Sequence, residues 1–182
     1  CGDAEHVLSR AARGGQPDAE IAEAWRRAGP AAARERVLLR LQEDRRLGNE
    51  AVRQGAIEHG AFCYEEGLRR LWGTPRDGGR LEPPSPETRQ AQESRREEAD
   101  AHDDALRRCS EALRAAEAAV LSNLALCYLR GNEATSWPPD VARAARLCDL
   151  ALILDSSCHK ALFRRGQALA AQAVLPAPVN TL

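Results

Sequence analysis

Two long stretches without proline, Ala31 to about Gly55 and Glu87 to Arg130, most constrain what this chain can fold into. Both are rich in Ala, Leu and Arg, which favour helix. No stretch alternates with the period of two that a strand of β-branched or aromatic residues needs. The pattern predicts helices from Ala31 to about Gly55, over 56–71, through 87–117 and on to Arg130, and over 141–154 and 158–173. Gly73 to Pro86 (GTPRDGGRLEPPSP) is a loop that no helix can cross, residues 131–140 (GNEATSWPPD) form a second break, and Pro176 and Pro178 end the pattern. The expected fold class is all-α.

Length and composition narrow the function classes. A chain of 182 residues suffices for one domain or a short repeat array. Its 26 basic and 27 acidic residues nearly cancel, which argues against a nucleic-acid binder. Of the cations, only Lys160 is a lysine. Uncharged runs fall short of the roughly 20 apolar residues of a membrane helix, so no span is expected. The start at Cys1, without an initiator Met or a leader, reads as an internal piece of a longer protein.

Catalytic and metal signals are thin. Six cysteines without CxxC pairing read as reduced, mostly core-filling thiols. His59 and Cys63 share a helix face as half a zinc site, but no second pair completes four ligands, and no metal is expected. The acidic pairs Glu43/Asp44, Glu65/Glu66 and Asp103/Asp104 diverge by about 100° on a helix and cannot serve one substrate as acid and base. Asp3, His6 and Ser9 are a triad by residue type only. With no GxSxG, phosphate loop or HExxH, neither an enzyme nor a cofactor is expected. Residues 91–108 mix both charge signs and read as a solvated or partner-facing helix.

Three segments align by their small and aromatic positions: 46–71, then 120–130 with 142–155, then 159–170. Leu121, Leu124, Ala125 and Tyr128 recur at i, i+3, i+4 and i+7, one apolar stripe. Small residues at fixed places let two helices approach closely. This pattern resembles the tetratricopeptide repeat, a 34-residue helix-turn-helix unit. Its small residue in helix A stands here as Gly48, Ala125 and Gly166, and its small pair in helix B as Gly60 and Gly67, then Ala144 and Ala151. Tyr64 and Cys148 take the slot between them. The spacings Gly48 to Ala125 and Ala125 to Gly166, 77 and 41 residues, exceed the period, and both excesses fall at turns.

The resemblance implies an antiparallel helix-pair superhelix of about two and a half repeats with an enlarged junction between the first two. Residues 1–37 would be a helical or partly disordered extension and 38–174 the repeat domain, with 175–182 as tail. Repeat one would cover about 41–72, the insertion about 73–117, repeat two about 118–156, and helix A of repeat three about 159–173.

On the A helices, Arg45 and Asn49 stand at i, i+4, as do Lys160 and Arg164, with Asn123 between them. Two amides and three cations with no carboxylate suit an anion with two close carboxylates, a peptide C-terminus ending in Asp. The set resembles the two-carboxylate clamp of co-chaperones, Lys-x-x-x-Asn, then Asn, then Lys-x-x-x-Arg, with Arg45 as the one departure. The segments 123–130, 148–155 and 160–169 are most similar to the C-terminal repeat domains of FKBP-type and cyclophilin-type immunophilins. The function so implied is a co-chaperone adaptor that binds the Glu-Glu-Val-Asp tails of the ninety- and seventy-kilodalton heat-shock chaperones, in the cytoplasm and also the nucleus. Two alternatives are the targeting module of a prolyl isomerase whose catalytic domain lies outside this chain, and a repeat scaffold without the chaperone role.

Overall fold

The computed structural model describes residues 29–73, 81–101, 103–131 and 137–174. Cys1, the Asp3/His6/Ser9 group and the tail 175–182 lie outside the described residues. Within them the chain is all-α, six helices and no strand. Helix α1 (Pro30–Arg53) starts on a proline, whose missing N–H costs nothing there. It runs unbroken across residue 37. Helix α2 (Ile57–Trp72) ends at Gly73, left-handed at φ 66°. Helix α3 (Pro86–Asp100) is capped by Ser85, whose side chain accepts from the Thr88 N–H. Helices α4 (Asp104–Arg130), α5 (Val141–Leu154) and α6 (His159–Val174) follow. Asp140 caps α5 through the Arg143 N–H.

The segment expected as one long helix over 87–117 is divided between two helices, the second of which runs on to Arg130. The break lies at Asp103, which is extended at φ −132° and accepts from the Ala105 and Leu106 N–H groups. A carboxylate placed to cap a helix start competes with continuing the helix before it. Nor is the polar segment simply solvated, because Arg89, Glu93 and Asp100 are buried on one side of α3. Arg89 and Glu93 pair with each other, Arg89 reaches Glu117 on α4, and Asp100 bonds Arg34 of α1. Charge pairing, rather than apolar area, docks this helix.

The other helices pack through small residues. Helices α1 and α2 run antiparallel, with Gly60 against Val52, Gly48 against Tyr64, and Gly67 against Leu41 and Asp44. A Cβ on Gly48 would overlap the Tyr64 ring. Helix α4 packs on both α1 and α2, α5 on α4, and α6 on α5 and α4. Leu121, Leu124, Ala125 and Tyr128 are buried throughout, and Ala144, Ala151, Ala161 and Ala168 are wholly enclosed between α4, α5 and α6. By length and composition, α4 alone among the described residues could cross a membrane; most of that stretch is covered by its neighbours.

Candidate functional site

Three of the five expected site residues meet in one hydrogen-bonded row. Asn49 stands about one turn before the end of α1 with α4 alongside, so the Asn123 Nδ2–H of α4 donates to Asn49 Oδ1 at 2.9 Å. Arg164 reaches back from α6 and donates through Nη1 to Asn123 Oδ1 at 3.1 Å and to Ser122 Oγ at 2.7 Å. The Tyr64 hydroxyl of α2 donates to the same Asn49 oxygen at 2.7 Å. Four helices thus contribute to one polar row.

Lys160 lies one turn before Arg164 on the same face of α6, exposed. Arg45 is half-buried one turn before Asn49 on α1, and neither it nor Lys160 makes an ion pair among the described residues. Lys160 and Arg164 line an open groove of about 670 Å³ between α4 and α6. Arg130 and His159 add basic groups, Leu126, Leu129 and Phe163 form apolar wall, and among the described residues no Asp or Glu lines it. Arg45, Asn49 and Asn123 are not among its lining residues, so the groove meets the polar row only at Arg164.

The electrostatics of Arg164 stand out against the rest of the molecule. It is half-buried, and burial lowers its pKa from the ordinary arginine value. Its hydrogen-bond partners are a serine and an amide, both neutral. By contrast Arg34, Arg70, Arg89, Arg96, Arg114, Arg143 and Arg165 each hold a carboxylate within ion-pair distance. A cation withdrawn from water without a counter-charge is costly, and a bound anion removes that cost.

Sequence reasoning missed Tyr64, Ser122, Arg130, His159, Phe163 and Gln167 at this place. Only Tyr64 carried a signal, as the large residue of helix B, and that signal speaks of packing rather than of its hydroxyl. The half zinc site has a Cys63 Sγ to His59 Nε2 distance of 3.8 Å, and no group of three metal-ligating residues occurs among the described residues. Burial pushes the thiols of Cys127 and Cys148 up to about 12 and about 11, so both are inert at neutral pH. Set against protein-family models, curated proteins and solved structures, the chain matches none.

Proposed function

We propose that the chain is a tetratricopeptide-like array of two and a half helix pairs that binds the free C-terminus of an acidic peptide, and that it serves as a co-chaperone adaptor for heat-shock chaperone tails. Helix pairs α1/α2 and α4/α5 with the single α6 are the repeats, and α3 with the N-terminal half of α4 fills the enlarged junction. The observation that carries the reading is Arg164, a half-buried guanidinium with no carboxylate among its partners. Asn49 and Asn123 beside it and Lys160 one turn away supply the further donors of a two-carboxylate site. Charge-assisted bonds give affinity, and the amides fix orientation. Arg45 supplies the fifth group as a planar fork in place of an ammonium.

Fluorescence anisotropy of a labelled peptide ending in Glu-Glu-Val-Asp tests the reading, beside the same peptide amidated at its C-terminus. The free acid should bind more tightly than the amide by at least about tenfold, as for one charge-assisted bond. Lys160→Glu should abolish binding with helicity unchanged, because the exposed side chain supports no packing. Equal binding of acid and amide, or full affinity in the variant, would remove the clamp.

A further inference from the structure

Orientation in the polar row is dictated from one end. A guanidinium can only donate, so Asn123 must turn its Oδ1 to Arg164. That leaves the Asn123 amide nitrogen facing Asn49, and an amide nitrogen can only donate. Asn49 must therefore turn its oxygen inward. The second lone pair of that oxygen takes the Tyr64 hydroxyl at 2.7 Å. With its oxygen filled twice, Asn49 has no acceptor left to offer. Its Nδ2 has no partner among the described residues and is not buried.

The position of Tyr64 is itself overdetermined. Its side chain is buried, and its ring lies over Gly48, where any Cβ would overlap it. The glycine opens the space that brings the ring, and hence the hydroxyl, to Asn49 on the next residue of α1. Burial also pushes the phenol up to about 12, so the hydroxyl keeps its proton through the physiological range.

We infer that Tyr64 is a positioning residue which, from helix α2, fills the second lone pair of the Asn49 oxygen and so holds the orientation that Arg164 sets through Asn123, leaving only the Asn49 N–H groups to a ligand and favouring an acceptor-only carboxylate over an end that carries an N–H. The inference rests on the peptide-binding reading above and adds a group that holds the donor orientation of its site. Ligand atoms do not meet Tyr64; it acts through Asn49.

The test is Tyr64→Phe, which keeps the ring over Gly48 and removes only the hydroxyl. Two readouts apply. In the ligand-free protein, the side-chain amide signal of Asn49 is followed by ¹⁵N-correlated NMR; the chain has four asparagines, so assignment is tractable. With the Glu-Glu-Val-Asp peptide, affinity for the free acid should fall about three- to tenfold, as for loss of one neutral hydrogen bond. The amidated peptide should be unaffected, so selectivity falls by the same factor. In an Asn49→Ala background, Tyr64→Phe should change affinity no further.

An unmoved Asn49 signal overturns the inference, as does an equal loss of affinity with and without Asn49. If the wild type fails to distinguish acid from amide, the clamp reading falls instead. The Asn49 signal then decides the positioning by itself: a shift upholds it, and no shift ends it.

Discussion

Gly48 and Gly166 take the same place in the repeat pattern that the sequence resembles, yet they stand in opposite surroundings. At Gly48 the Tyr64 ring fills the space a side chain would need, whereas nothing lies within 4 Å of a Cβ built at Gly166. Alanine favours a helix interior by about 1 kcal/mol over glycine. At Gly166 that gain is unopposed, so Gly166→Ala should stabilise by about 0.5–1 kcal/mol. At Gly48 the overlap costs about 1–3 kcal/mol and outweighs it, so Gly48→Ala should destabilise. Urea unfolding of the two variants checks both signs, and a Gly48→Ala protein as stable as wild type would mean that Tyr64 swings aside freely. Sequence spacing names both glycines alike because it records the position in a pattern and not the helix opposite. The same limit applies to the site. The convergence of Asn49, Asn123 and Arg164 was legible from helix faces, since α4 packs on both α1 and α6 and brings those faces together. The Tyr64 hydroxyl was not, because a ring at a packing position says nothing about where its tip ends.

Among the elements, α3 departs furthest from its sequence. Four helices follow from proline, glycine and capping signals and begin and end within a residue or two of expectation, and α4 ends as expected at Arg130 but starts at Asp104. The mixed charges of the polar helix point to a solvated or partner-facing helix because charged residues normally face water, whereas here burial is offset by pairing. Arg89 meets the wholly buried Glu117, which also accepts from the Trp72 indole at 2.7 Å. Burial raises the Glu117 pKa against the pull of Arg89 and Trp72. Removing Arg89 leaves an uncompensated buried carboxylate, so Arg89→Met should cost about 3–5 kcal/mol at neutral pH. Glu117→Gln should cost less, since the amide oxygen still accepts from Trp72 and Arg89 keeps Glu93. The pH dependence has a definite sign. A carboxyl raised in the folded state contributes its full stability below its unfolded pKa and loses it as pH rises through the folded value. The Arg89→Met deficit should therefore shrink on acidification. Asp100 runs the other way: burial opposes its ionisation, but bonds from Arg34 and Ser110 prevail and hold its pKa below the ordinary value. Its contribution is present above the ordinary carboxylate pKa and is lost as pH falls through the lowered one. Chemical denaturation between neutral and acid pH separates the two, and a deficit in Arg89→Met that is flat with pH would place the loss in packing instead of charge.

Across the whole molecule, stability is built by stacking helices on one another, and among the described residues α6 packs only on α4 and α5. Its Leu162, Phe163 and Leu169 remain 50 %, 68 % and 45 % exposed, while the leucines of α4 and α5 that form the core are enclosed. Few buried apolar contacts mean a low local opening free energy, so amides of α6 should exchange with solvent faster than those of α4 and α5. The proposed ligand site draws Lys160 and Arg164 from this helix, which is less enclosed than α4 and α5. Opening α6 would dismantle the site, and a peptide that binds only the closed form must oppose that opening. At a free peptide concentration 100 times Kd the stabilisation is about 2.7 kcal/mol, close to a hundredfold slowing of exchange through that opening. Protection should thus concentrate in α6 and leave α3 unchanged, since α3 contributes no side chain to the row. Hydrogen exchange followed by mass spectrometry, with and without the Glu-Glu-Val-Asp peptide, reads this directly. Equal slowing in all six helices would mean that the molecule opens as one cooperative unit, and slowing in α3 with none in α6 would move the binding surface off the groove.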